Sequence, residues 1–362
     1  MTAPAPWRRN VFAVTAASFM GYTGFTLVMP FLPLFIRELG VDDVREVAMW
    51  TGLSLGVTPG LTALLAPAWG RLGDRFGRKI MVERSLVSFV VLFAAMAFVR
   101  RPWQVLAVRS AQGLFAGYGS LSVAMAAESA PRDRMPSAIG TVQTAQRIGP
   151  AVGPVLGGVL AGLFTLRRAF LATAVFYAIA LVIVHTFYDD TATHARPDAA
   201  ETGRVTFRDV LAFRNFILMM GVIFGLQFVD RSFGPVLPLY VEQAGVSPAR
   251  VPIVAGTLFS IMALTGALGH HFCGRLLRHY TSRVVIAGGA AMTASYSAAG
   301  AVIPPGAHGA GFGVLTSASL IGMASSPFIA GFVGGASIRI VFAVDLVLMA
   351  VLAAIVHHSM AD

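Results

Sequence analysis

The chain is a succession of apolar runs, each long enough to cross a bilayer, that begins at Val11 and continues almost to the C-terminus. A spanning helix needs about 20 apolar residues, and eleven such runs can be marked, at about 11–35, 48–69, 80–99, 103–127, 137–164, 169–187, 215–241, 251–273, 284–304, 311–334 and 340–357. Short connectors rich in charge, proline or glycine separate them. A soluble core has no room for so much apolar surface. Of 362 residues, 56% are hydrophobic and 12% charged, against roughly 45–50% and about 25% in soluble domains. A β-barrel would show shorter, alternating segments. The pattern therefore predicts an all-α polytopic membrane protein, with the lipid bilayer as its first partner.

The net charge of +10 does not point to nucleic acid, because nearly all the basic residues sit in connectors beside apolar runs, where they orient helices. With the N-terminus placed in the cytoplasm, the N-terminal tail and the first eight connectors carry fifteen Arg and Lys inside and seven outside. That asymmetry predicts a multi-pass inner-membrane protein with a cytoplasmic N-terminus. The N-terminal "WRRN" precedes an apolar run that continues to about Phe35, too long for a cleaved signal core, so it reads as the first span. Cys273 is the only cysteine, which excludes an intramolecular disulfide.

One long polar segment, Tyr188 to Val210, is rich in small and charged residues, as a solvated linker would be. It divides the chain into an N-terminal six-helix bundle over 1–187, a cytoplasmic linker over 188–214 and a C-terminal bundle over 215–362. The bundles repeat one another. "MPFLPLFIRELGV" from Met29 matches "GPVLPLYVEQAGV" from Gly234 at an offset of 205, and "GRLGDRFGRK" from Gly70 matches "GRLLRHYTSR" from Gly274 at 204. Parallel duplication of helical halves is a transporter signature, with the substrate path between the halves.

The connector "GRLGDRFGRK" places three glycines and several charges between two apolar runs. Gly70 and Gly77 allow a tight turn, Asp74 can pair with cations or a helix N-terminus, and Arg75, Arg78 and Lys79 hold the loop inside. The stretch resembles the signature loop of the major facilitator superfamily, with Gly70, Leu72, Asp74, Arg75, Gly77, Arg78 and Lys79 in register. The resemblance implies a latch that stabilises one state of an alternating-access cycle.

Two further motifs narrow the family. "RIGPAVGPVLGGVLAG" in span five sets Gly149, Gly153 and Gly157 four residues apart, with Pro150, Pro154 and Gly158 among them. Small residues at that spacing make a flat face for close helix packing, and the prolines remove backbone hydrogen bonds. Gly52, Gly56 and Gly60 in span two form a similar ladder, so the glycines alone are not specific. Together with the prolines, span five resembles the antiporter motif of proton-coupled drug exporters. "LAVRSAQGLFAG" in span four carries Arg109 and Gln112 and resembles the motif whose membrane arginine takes part in proton coupling. An arginine at mid-membrane costs on the order of 2.5–3.5 kcal/mol by insertion scales, so it should face the cavity and find a partner.

A proton also needs a titrating group. The first span has no acidic residue, so the expected carboxyl is Asp230 beside Arg231 in span seven, since the resemblance implies that spans one and seven line the cavity. Asp345 in the last span could equally be a polar contact between helices, and Glu128 reads as an interfacial charge. Neighbours at i,i+1 do not share a helix face, so Asp230 and Arg231 are not automatically an ion pair. Tyr22, Phe25, Gln112, Gln143 and Gln227 are expected in the substrate cavity. His270, His271, His279 and Cys273 cluster near the end of span eight, but beside the second copy of the signature loop they read as replacements of basic residues, and no metal or cofactor is expected. No Gly-x-x-x-x-Gly-Lys-Ser/Thr loop occurs, which argues against direct ATP coupling, and no constellation supports an enzyme.

The repeat is incomplete. Span five, from Gly140, aligns with "GVLTSASLIGMASSPFIAG" from Gly313 at an offset of 173 rather than 204. The second half is therefore 31 residues short (204 − 173) and lacks room for one of the twelve helices of the family. Loss of one helix should reverse every later span, leaving the C-terminus outside and the latch without its partner. A re-entrant Val284–Ala310 would avoid this. The resemblance implies a monomeric secondary transporter that exchanges protons for small hydrophobic or cationic molecules. A metabolite uniporter or symporter, or a non-transporting relic of the fold, is the alternative.

Overall fold

The computed structural model describes residues 6–131, 133–190, 216–276 and 308–359, all of whose regular structure is helical. In chain order the helices are α1 (Pro6–Val28), α2 (Leu32–Glu38), α3 (Val44–Phe76), α4 (Arg78–Met96), α5 (Pro102–Leu114), α6 (Tyr118–Ser129), α7 (Met135–Leu163), α8 (Leu166–Phe187), α9 (Phe216–Ser232), α10 (Leu237–Gln243), α11 (Val251–Leu276), α12 (His308–Ala336) and α13 (Ile338–Ser359). The expected span at 284–304 lies outside the described residues.

Three expected spans are broken rather than continuous. Span one passes through a 3₁₀ turn at Met29–Phe31 before α2, because Pro30 and Pro33 lack the N–H that a continuing helix needs. Span seven divides into α9 and α10 at the repeat-equivalent Pro235 and Pro238. Span four stops at Leu114 and restarts at Tyr118, where Gly117 takes φ +121°, a conformation open to glycine. By contrast α7 runs unbroken through Pro150 and Pro154.

Two compact units form. Unit 1 contains Met1–Asp42, Leu64–Pro197 and Leu237–Leu264, and unit 2 contains Asp43–Ala63, Asp198–Val236 and Thr265–Asp362. In unit 1, α7 lies along α1. A Cβ on Gly149 would meet the backbone of Thr23, one on Gly153 the Thr23 carbonyl, and one on Gly157 the Leu27 carbonyl at 1.7 Å. Numbers rise together on both helices, so the pair is parallel. The start of α11 runs the other way along α7: Gly158 faces Pro252, Gly256 faces Pro154 and the Val155 N–H donates to Ser260 Oγ at 3.1 Å. The short helices α2 and α10, copies of one repeat, are joined by an ion pair between Arg37 and Glu242.

Unit 2 repeats the scheme with the other copies. Gly322 sits against Phe224 and Gln227, and Gly334 against Val236, so α12 runs parallel to α9. The first half of α3 is antiparallel to α12: Gly52 meets the Pro327 carbonyl, Gly56 that of Ala324, and Gly331 that of Ala48. The contact of Gly52 with Pro327 and that of Gly256 with Pro154 differ by 204 on one side and 173 on the other, the two offsets read from the sequence. The same holds for Gly331 with Ala48 and Gly158 with Pro252.

These contacts correct the expected reversal. With one helix fewer, α12 would run antiparallel to α9; instead it runs parallel, as α7 does to α1. α13 then returns antiparallel to α9, with Asp345 against Ser232 and Leu352 against Gly225. The C-terminal end of α13 lies at the end where α9 begins. The premise that the latch loses its partner by inversion falls with the reversal. Large exposed apolar side chains, among them Val91, Val175, Phe332, Leu346 and Val347, line the helices' outer faces, as hydrocarbon surroundings allow.

Candidate functional site: a buried arginine, a charged helix end and close-packed glycines

Arg109 projects from α5 and is 1% exposed. Its Nη1 donates to Gln112 Oε1, one turn on, at 2.7 Å, and the guanidinium lies 5.5 Å from the centroid of the Phe25 ring on α1. An amide acceptor and a ring face are both partners that a desolvated guanidinium can use. Tyr22, one turn before Phe25, has its ring 6.4 Å from that of Tyr118, and its hydroxyl occupies the space beside Gly119, where a Cβ would come within 2.3 Å. Four expected residues, Tyr22, Phe25, Arg109 and Gln112, thus come together in unit 1. Gln143 is exposed on α7; it does not line the open groove of about 610 Å³ that Phe12, Thr15, Phe19, Thr141, Thr144 and Ile148 border between α1 and α7. Gln227 is half-buried on α9 in unit 2, against Gly322.

The signature loop is shorter than its sequence suggests. α3 continues through Gly70 and Asp74 to Phe76, and Gly77, at φ +93°, is the whole turn before α4. The Asp74 side chain lies outside the described residues. Gly70 and Arg75 are exposed, Arg75 5.3 Å from the Phe76 ring centroid. Arg78 pairs with Glu128 at the end of α6 at 3.1 Å, so Glu128 is more than an interfacial charge. Lys79 Nζ donates to the carbonyls of Tyr188 at 2.8 Å and His185 at 3.3 Å, capping the free carbonyls at the C-terminus of α8. Around them Arg9 pairs with Asp189 at 3.2 Å, and the buried Asn10 exchanges two hydrogen bonds with the Asp189 backbone. Burial pushes the Tyr188 hydroxyl up to about 12, and raises the Asp190 carboxyl despite the opposing pull of Lys79.

On α7, Gly149, Gly153, Pro154, Gly157 and Gly158 are buried, and Pro150 is half-buried. The ladder serves two contacts at once: Gly149, Gly153 and Gly157 receive α1, and Gly158 receives α11.

The acidic candidates separate. Asp230, in the last turn of α9, has a side chain 58% exposed and pairs with Arg231 at 3.1 Å, so adjacent residues do form the pair at this helix end. Asp345 is 5% exposed on α13 and contacts Ser232 Oγ at 2.5 Å. The histidine and Cys273 side chains of span eight lie outside the described residues.

Sequence reasoning missed Arg84 and Trp69. The Arg84 guanidinium lies 3.6 Å from the Trp69 ring centroid and donates to the carbonyls of Phe115 and Ala116 at 3.1 and 3.2 Å, which the break at Gly117 frees from helical bonding. A charge inside an apolar run was the available signal.

A membrane bundle with duplicated halves, a buried arginine and glycine-mediated helix packing matches one family along most of its length. The profile described as Major Facilitator Superfamily matches residues 14–287. The chain belongs to that superfamily. Its members are transporters, and similar relatives are multidrug resistance proteins by name. Multidrug resistance protein MdtG of Proteus mirabilis (strain HI4320) is 31% identical over 271 residues, covering 75% of this chain and 67% of the relative. The multi-drug resistance efflux pump PmrA homolog of Lactococcus lactis subsp. lactis (strain IL1403) is 33% identical over 285 residues, covering 77% and 69%. Among solved structures, a bacterial homolog of the human lysosomal transporter Spinster, inward-facing and unoccupied, superposes with a TM-score of 0.78 at 15% identity, covering 99% of this chain and 98% of that one. The human organic anion transporter MFSD10 (TETRAN) gives 0.65 at 20%, covering 98% and 100%. At such identities the likeness speaks for the superfamily fold.

Proposed function

We propose that this superfamily member exports small hydrophobic or cationic compounds by alternating access, driven by inward proton flow. The observation that carries the reading is Arg109, a buried membrane cation that keeps its charge, since guanidinium does not deprotonate in proteins. Gln112 and Phe25 hold it in place. Such a group does not carry the proton; it biases the protonation of carboxyls and the binding of substrate. Asp345, and less favourably the exposed Asp230, supply the carboxyl. Tyr22, Phe25 and Gln112 contribute the aromatic and polar surface a varied set of apolar cations would need, with Gln143 and Gln227 as further cavity residues. Residues Gly70 to Lys79 act as the latch between states, and the α7 glycines as a surface on which helices repack. The PmrA relative is named an efflux pump and the MdtG relative a multidrug resistance protein, which favours export. The working arrangement is a monomer in the inner membrane, its N-terminus and 188–214 linker in the cytoplasm.

Inverted vesicles with an imposed proton gradient test this. Adding compounds from a broad panel of lipophilic cations should collapse the gradient, and no collapse by any of them would sink the export claim. In the same assay Asp74→Asn should impair exchange while membrane insertion stays intact, since the basic residues that orient the loop remain.

A further inference from the structure

Ser232 is the last residue of α9, just before the break that divides span seven, and it is buried. Its hydroxyl oxygen is 2.9 Å from the Val229 carbonyl and 2.5 Å from Asp345 Oδ2. A serine hydroxyl has one hydrogen. If Asp345 were ionised, that hydrogen would face two acceptors and satisfy one. Both short contacts are met together only when Oδ2 carries a proton and donates to Ser232 Oγ, while the serine hydrogen goes to Val229. The other carboxyl oxygen, Oδ1, is buried with no hydrogen-bond partner among the described residues, which a carboxylate would tolerate poorly and a carboxylic acid carbonyl tolerates better. Among the described residues no cation compensates a charge there. On α9 the charged groups are Asp230 and Arg231, paired with each other at 3.1 Å and both well exposed; α12 has no titratable residue after His308; on α13 Arg339 is exposed six residues earlier, and His357 and His358 follow three turns later.

We propose that Asp345 is a proton-binding site whose bound proton ties α13 to the end of α9. Release of the proton from Oδ2 to water leaves two acceptors around one serine hydrogen and an uncompensated negative charge in apolar surroundings. The contact opens, and the break of span seven is freed. This deepens the proton-coupled reading, on which the use of the proton in transport rests; the proton's place and the tie are tested without transport.

The test treats the full-length protein in lipid vesicles with dicyclohexylcarbodiimide over a pH series, with peptide mapping by mass spectrometry. A carboxyl reacts by adding its oxygen to the central carbon and its proton to a nitrogen, so an ionised carboxylate gives no adduct. Asp345 should be labelled at neutral pH and Asp230 should not. Amide hydrogen exchange over 229–240 reads the tie. Asp345→Asn keeps an N–H donor towards Ser232 and should remain protected at every pH, whereas Ser232→Ala should lose protection yet keep the label. Absence of label on Asp345 at neutral pH overturns the bound proton. Label with undiminished protection in Ser232→Ala, or Asp345→Asn exchanging as fast as Ser232→Ala, overturns the tie. Labelling and protection as expected, in a protein that moves no protons with drug, would leave this site standing and remove the export reading alone.

Discussion

α7 in unit 1 and α12 in unit 2 occupy equivalent places 173 residues apart, and they solve the same packing problem with different chemistry. Gly149, Pro154 and Gly158 recur as Gly322, Pro327 and Gly331, but Gly153 corresponds to Ser326 and Gly157 to Ala330. Where Gly153 presents bare backbone to the Thr23 carbonyl, Ser326 donates its hydroxyl to the equivalent carbonyl, that of Phe228. Unit 1 keeps its parallel helices together by shape, and unit 2 adds a hydrogen bond at a fixed register. The difference extends to charge. Unit 1 buries Arg109, on a helix that has no room for a copy in the shortened second half, and unit 2 buries Asp345, where α8, aligned from its first residue Leu166 with Ile338 of α13, has the neutral Thr173. A repeat can therefore keep its helix directions and its close contacts while its polar interior diverges.

The comparison stands or falls on α12 being parallel to α9, and that is an all-or-none matter. A reporter active only in the cytoplasm, fused once within 188–214 and once after Asp362, should give the same activity at both places, because α13 ends where α9 begins. Activity at the linker with silence at Asp362 would restore the reversed topology and dissolve the equivalence of α7 and α12.

Next in size is the position at which the two ladders differ in bulk. A Cβ on Gly157 would lie 1.7 Å from the Leu27 carbonyl oxygen and 2.7 Å from its carbon, and backbone cannot rotate away as a side chain can. Gly157→Ala must push α1 from α7, an overpacking that costs about 1–3 kcal/mol or more. Ala330→Gly opens no clash and should cost about 1 kcal/mol of helix propensity. Thermal unfolding of the purified protein in detergent ranks the two, and an equal shift for both would show that the glycine ladder is not a packing requirement in unit 1.

Much of this arrangement could be read before any geometry. Apolar run length gave the membrane class, and the 204 and 173 offsets already contained the reciprocal contacts of Gly52 with Pro327 and Gly256 with Pro154. Arg109 was legible because a charge in an apolar run must be accommodated, and Gln112 lay one turn away. Arg84 carried the same signal, but its role depends on Gly117 breaking span four, and nothing in local composition distinguishes a glycine that breaks a helix from one that packs it. Helix direction in the second half was misread because counting spans assumes that every connector crosses or does not cross the bilayer by its apolar length. Contacts among α3, α9, α12 and α13 fix direction without that assumption. The Asp345 contact with Ser232 could not be seen in one dimension, since the two residues are 113 positions apart.

The smallest effect, and the sharpest test of the chemical difference between the units, is at Ser326. It is fully buried and its hydroxyl serves the Phe228 carbonyl, so Ser326→Ala keeps the Cβ and the helix and removes one bond. Hydrogen bonds between membrane helices average about 0.6 kcal/mol, because the unfolded chain in the membrane also finds partners for its polar groups. A small loss of thermal stability is expected, below that of Gly157→Ala. The reciprocal change, Gly153→Ser, would bring a Cβ 2.2 Å from Thr26 Oγ1 and 2.6 Å from the Thr23 carbonyl. The threonine hydroxyl can turn aside and the carbonyl cannot, so the serine that fits unit 2 should destabilise unit 1 by more than its removal costs unit 2. Equal tolerance of both changes would mean that the two helix pairs sit at the same spacing, and that the hydroxyl of Ser326 fills space without setting the register.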